Sequence, residues 1–130
     1  MATIEQFLAN DRFAAHAGIR LVEVGPGTAK AAMAVGEQHL NGVGICHGAA
    51  IFSLADFAFA AASNSHGTVA VAINANISFV KAVTGGTLTA LAREVSLGSK
   101  LATYAIEVTD ESGALVASFQ GMVYRKKDPI

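Results

Sequence analysis

The sequence predicts an α+β fold in which a curved antiparallel sheet wraps one long central helix. Three observations carry this expectation. The run from Ala49 to Ala62 is apolar on every side except for Ser53 and Asp56. Two alternating strand-like segments precede it and four follow, separated by glycine-rich turns or by the turn Asp110 to Gly113. At 130 residues the chain has the length of a single domain, so one sheet is the only material available to surround that helix.

The elements follow in order. Thr3 is placed to cap a short opening helix with Ile4, Phe7 and Leu8 on its apolar face. Gly18 then opens an alternating strand, Ile19, Leu21, Val22 and Val24, which ends at the turn Gly25-Pro26-Gly27. Thr28 to Val35 forms a second strand and a hairpin with the first, although its alanines are poor strand formers. Gly36 to Cys46 is polar and glycine-punctuated, an ordered loop. The helix runs from His47 or Gly48 to Asn64, with His66-Gly67 as its stop. Val69 to Val80 is the next strand, turned by Gly85-Gly86 into Thr87 to Ser96. Gly98-Ser99 turns that into Leu101 to Thr109, and Asp110 to Gly113 makes the last hairpin before Ala114 to Arg125.

Composition narrows the function. Residues of hydrophobic type make up 52% and charged ones only 15%, which is apolar for a monomer and points to an oligomer. The formal net charge is −1, and the only basic run, Arg125-Lys126-Lys127, reads as a solvated tail, so no nucleic-acid partner is expected. Cys46 is the only cysteine, so no disulfide forms within the chain and a reducing compartment fits. No signal-peptide pattern is evident and the longest apolar run is too short to cross a bilayer. The expected location is the cytoplasm, without a membrane partner.

The chemistry concentrates on the helix. Asp56 stands alone among large apolar neighbours, where an unpaired charge costs on the order of several kcal/mol. Either it faces a polar cleft or subunit boundary, or its pKa is raised, and both conditions suit an acid or base. The plainer reading is an Asp that bonds a neighbouring loop and fixes packing. The loop before the helix favours chemistry. There Asn41, His47 and Gly48 gather where free backbone N–H groups meet the positive end of the helix dipole. The Gly48 N–H is placed to hold an oxyanion, His47 to donate to a substrate oxygen or sulfur or to cap the helix, and Asn41 to hold a water or a carbonyl. Gly48 and Asp56 lie roughly 12 Å apart along one helix, so a single carbonyl cannot touch both. Two helices packed antiparallel about a two-fold axis bring Gly48 of one near Asp56 of the other. A dimer with two shared sites is therefore expected.

At these residues the chain resembles a known family. His39-Leu40-Asn41-Gly42-Val43-Gly44-Ile45-Cys46-His47-Gly48, followed by Phe52-Ser53-Leu54-Ala55-Asp56 and Ala61-Ala62-Ser63-Asn64-Ser65, is similar to the PaaI-type hotdog thioesterases of phenylacetate degradation. The resemblance implies the hotdog fold and hydrolysis of aryl- or arylacetyl-CoA thioesters, in a dimer that pairs into a homotetramer. It implies Asp56 as nucleophile or general base, Gly48 N–H polarising the thioester carbonyl, His47 orienting the thioester end, and Asn41 positioning water or the carboxylate. Gly98-Ser99-Lys100 loosely matches a turn that places a basic residue near the CoA phosphates, which implicates Lys100. No cofactor is implied, CoA being part of the substrate. Two positions depart from the pattern: Ala49 stands where some relatives have a second glycine, and Ala72 where some carry Ser or Thr.

Other readings compete. The same pocket would serve a non-catalytic acyl-CoA binding or sensing protein, or a hotdog hydratase or dehydratase pairing His47 with Asp56. Cys46 beside His47 suggests a thiol nucleophile only weakly, because sequence neighbours on a turn rarely face each other. His39, His47 and His66 lack the spacing of a zinc site, so no metal is expected. Gly25-Pro26-Gly27 and Gly85-Gly86 lack the strand-to-helix context of a phosphate loop. Phe52, Phe57 and Phe59 read most simply as core, with a place for one of them in the wall of the acyl pocket as the alternative.

Overall fold

The computed structural model describes residues 2–130. Two short helices open the chain, α1 (Ile4–Leu8) and α2 (Arg12–Ala17), followed by strands β1 (Ile19–Gly25) and β2 (Thr28–Ala34). The long helix α3 (Gly48–Asn64) precedes β3 (Thr68–Phe79), β4 (Thr87–Leu97), β5 (Leu101–Thr109) and β6 (Leu115–Pro129). All six strands are antiparallel to their neighbours in one sheet of order β1-β2-β4-β5-β6-β3.

The expected sheet around one central helix is present. Helix α3 buries Ile51, Leu54, Ala55, Ala58, Phe59, Ala61 and Ala62 against Met33, Leu88, Tyr104, Ile106 and Phe119 of the sheet. The alanines that weaken β2 as a strand explain themselves here. Ala29 and Ala31 are buried on the face that meets α3, and their small side chains let the helix lie close to the sheet. What poor strand propensity costs, tertiary packing offsets. The opening helix is capped by Thr3 through a reciprocal capping box with Gln6, as its sequence suggested.

Four expectations need correction. Helix α2 was not foreseen: six residues hold too little periodicity to read, though Asp11 caps it and Gly18 ends it at φ 76°. Gly18 therefore closes a helix as well as opening a strand. Second, Gly85-Gly86 does not fold β3 back onto β4. The chain crosses from the sheet edge to its middle, and β3 pairs with β6 instead. A turn signal specifies a reversal but not which strand becomes the neighbour. Third, Arg125-Lys126-Lys127 is not a tail but part of β6, and Arg125 Nη1 donates to Gly98 O at 2.7 Å. Finally, α3 is not covered on all sides. Ala49, Phe52, Ser53, Asp56 and Ala60 form a stripe that the sheet leaves incompletely buried.

Candidate active site

The loop that leads into α3 is shaped by Asn41. Its Oδ1 accepts from Val43 N at 3.0 Å and Ile45 N at 3.2 Å, and its own N–H donates to Ile45 O at 2.8 Å. With the oxygen engaged in the loop, the side-chain amide offers its NH2 group as a donor. The loop is closed by His47 N to His39 O and tied to the crossover by Cys46 N to Val83 O.

His47 is the N-cap of α3, and its Nδ1 accepts from Ala49 N at 2.9 Å. In the neutral ring that bond leaves the proton on Nε2, so the outward nitrogen is a donor. Capping and donation, set as alternatives by the sequence, are thus compatible. Gly48 is the first helical residue, and among the described residues its N–H has no protein acceptor. A Cβ at Gly48 would stand 3.1 Å from Phe79 Cζ, so glycine lets the β3 ring close over the helix start. Asn41, Cys46, Gly48, Ile51, Phe79 and Lys81 line one cavity of about 390 Å³. His47 lines another, of about 260 Å³, on the opposite flank of the helix start.

Asp56 lies in neither cavity. It sits half-buried on the open stripe of α3, two turns beyond Gly48. Burial raises its carboxyl above the usual range, and the negative charge of Asp11 adds to the rise. Asn41 and Gly48 are thus brought together within one chain, His47 adjoins them, and Asp56 is held apart. Lys100 is remote from the Gly48 end of the helix. Leu101 pairs with Tyr124 and Phe79 with Ala117, so β6 separates the two ends by roughly 23 Å. Ala72 lies exposed on β3.

Sequence reasoning missed Phe79 and Lys81. Only the crossover brings the end of β3 over Gly48, and no local pattern marks it. Lys81 Nζ is paired with Asp110 Oδ2 at the cavity rim. It also missed a polar cluster at the far end of α3. There Glu94 Oε2 meets His66 Nε2 at 2.7 Å and accepts from Tyr104 OH at 2.6 Å. Burial alone would push the Glu94 carboxyl up, but the bonds from Tyr104 and His66 outweigh it and hold the pKa below normal. Cys46 is buried, which pushes its thiol pKa up and weighs against a thiolate nucleophile. No helix among the described residues is long and apolar enough to cross a membrane.

A six-stranded antiparallel sheet wrapped on one long helix is the architecture of the hotdog class. The model of the Thioesterase superfamily matches residues 43–117, and the chain belongs to that superfamily. Its likeness is to the PaaI type. It is 41% identical over 117 residues to the acyl-coenzyme A thioesterase PaaI of Escherichia coli (strain K12), a match covering 89% of this chain and 84% of that one. The solved E. coli PaaI structure superposes with a TM-score of 0.92 at 39% identity, covering 95% of this chain and 91% of that one. A protein of Archaeoglobus fulgidus, whose name says no more than esterase, is 48% identical over 117 residues, covering 89% of this chain and 76% of that one.

Proposed function

We propose that this thioesterase hydrolyses aryl- or arylacetyl-CoA thioesters to the free acid and CoA, in a homodimer whose two sites are each shared between subunits. The observation that carries the reading is the Gly48 N–H, without a protein acceptor and opening on a cavity that also holds Asn41. The name of the E. coli relative, an acyl-coenzyme A thioesterase, supports the substrate class.

In this scheme the thioester carbonyl oxygen accepts from Gly48 N–H, where the helix dipole stabilises the negative charge that develops on it. His47 Nε2–H orients the thioester end. Asp56 of the other subunit supplies the carboxylate, either attacking the carbonyl carbon or taking a proton from water, and Asn41 donates from its amide to the water or carboxylate. A raised carboxyl pKa improves a base that must hold a proton transiently. No metal or separate cofactor enters the scheme.

The dimer follows from two uncovered surfaces. Strand β3 is an edge strand that exposes Val71, Ile73 and Phe79, and the stripe around Asp56 is open. Pairing the β3 edges of two copies antiparallel sets the two α3 helices antiparallel, so that Gly48 of each faces Asp56 of the other. Leu91, Val95 and Leu97, exposed on β4, offer a further apolar face on which two dimers can join into a homotetramer. The exposed Lys100 turn is then free to meet CoA phosphates at another subunit's site. The single cysteine fits a cytoplasmic setting.

The test is a panel of CoA-release assays on aryl, arylacetyl and straight-chain thioesters with the parent and Asp56→Asn. The expected result is a preference for the ring-bearing thioesters and a loss of at least a hundred-fold in kcat for the variant. Hydrolysis by Asp56→Asn at the parent's rate overturns the role of Asp56, and a panel with no turnover overturns the function.

A further inference from the structure

Apart from His47, the residues of the other cavity at the start of α3 have no part in the scheme above. This cavity is a groove between α2 and α3, about 260 Å³ in volume, with Phe13, His16 and Ala17 on one wall and His47, Ala50 and Ser53 on the other. Phe13 is 67% exposed, a large apolar ring presented to solvent from a helix rather than from a loop. That helix is fixed at both ends. Asp11 Oδ1 accepts from Ala14 N at 2.9 Å, and the buried His39 ring bridges Ala17 O at 2.7 Å and Gly36 N at 2.9 Å. Accepting at Nδ1 and donating from Nε2, His39 has no hydrogen-bonding capacity left for a ligand. Its work is to hold the α2 wall in place. The groove is therefore preformed, as ligand sites usually are.

We propose that the α2–α3 groove receives the acyl group, with Phe13 as the residue that selects a flat, ring-sized one. The inference rests on the thioesterase reading and adds to it a place for the half of the substrate that the sequence left unassigned. Two features argue for a ring, and a third for its place. A cavity of roughly 150 Å³ suffices for benzene, so this one accommodates a ring with a short linker. Ala17 and Ala50 line it with small side chains beside the rings of Phe13, His16 and His47, a lining that suits an aromatic partner. Moreover, His47 forms the inner end of the groove and Gly48 follows it directly, so a carbonyl held at Gly48 N–H directs one substituent into the groove. The other substituent leaves along the cavity on the opposite flank, past Asn41 and Phe79 toward Lys81, where polar and charged groups suit the CoA arm.

The experiment compares kcat/KM for phenylacetyl-CoA and acetyl-CoA in the parent, Phe13→Ala and Ala17→Phe. Filling the groove with Ala17→Phe is expected to lower the phenylacetyl-to-acetyl ratio at least ten-fold, and Phe13→Ala three- to ten-fold. Ratios within two-fold of the parent's in both variants overturn the proposal, as does an equal rise of KM for both thioesters, which would put the CoA arm in the groove. Should Ala17→Phe fail to fold, Phe13→Ala at its exposed position decides alone. If the parent turns over neither thioester, the function itself has failed. The groove is then judged by 19F NMR of 4-fluorophenylacetate, whose signal the parent must broaden and Phe13→Ala must sharpen. No broadening by the parent overturns the groove as well.

Discussion

Gly121 on β6 lies directly beneath the ring of Phe59 on α3, so that a Cβ added at Gly121 would stand 2.5 Å from Phe59 Cζ and 2.7 Å from Cε2. Phe59 cannot retreat, because it also packs on Tyr104 and Phe119 with ring centroids 5.7 and 5.6 Å away. Glycine at this position sets how closely the helix approaches the sheet. Gly121→Ala should cost about 1–3 kcal/mol, more than its gain in strand propensity. Urea unfolding of parent and variant measures this, and equal midpoints would contradict it.

Glu94 predicts a pH dependence of stability. Its pKa is lower in the folded protein than the usual value of about 4.3, so the folded state binds fewer protons in that range than the unfolded chain. The stabilisation is present above pH 4.3 and is lost as pH falls through the folded value. Glu94→Gln should cost about 1–2 kcal/mol at pH 7, and the difference should shrink on acidification below pH 4. Paired urea titrations at the two pH values test the sign.

For Asp56 the sign reverses. Its carboxyl is raised by burial and by Asp11, so between the unfolded value of about 3.9 and the folded one the folded state binds more protons. Stability falls as pH rises through that window. Asp56→Asn should therefore raise Tm at pH 7 by roughly 2 °C, a modest gain because the side chain is only half-buried, with no gain at pH 3. A variant that is stabler yet inactive is the pattern expected of a functional carboxylate.

His47 combines two roles that asparagine separates. Asn caps helices at least as well, so His47→Asn should leave Tm within about 2 °C, while His47→Ala should cost about 1 kcal/mol. If the ring donates to the substrate, both variants should lose about ten-fold or more in kcat/KM. Full activity in His47→Asn would reduce His47 to a cap.

Ile73, 55% exposed on the β3 edge, tests the dimer. Ile73→Lys places a charge on the surface proposed to meet its copy. The expected outcome by sedimentation is a folded monomer without thioesterase activity, because each site would then lack the partner's Asp56. A fully active monomer would show that one chain suffices.

The central helix and most of the strands were legible in the sequence because an all-round apolar run and alternating strands each have a local signature. That Asn41, His47 and Gly48 share the start of the helix was legible for a similar reason, since they lie within eight residues of one another on one loop. What was hidden depends on distant pairing. The placement of β3 beside β6, and hence of Phe79 over Gly48, is set by contacts remote in sequence, and no turn residue encodes them. Helix α2 escaped notice because its stability comes from Asp11, Gly18 and the His39 bridge more than from its own periodicity.

The crossover also sets a condition on biosynthesis. Phe79 pairs with Ala117 and Thr68 with Pro129, separations of 38 and 61 residues. At about 5–20 residues per second, β3 leaves the ribosome several seconds before its partner exists. During that interval Val71, Ile73 and Phe79 stand on an unpaired strand, open to the wrong neighbour. The nascent chain is therefore most vulnerable to aggregation after β3 is translated and before β6 arrives, which is when a chaperone would do the most good.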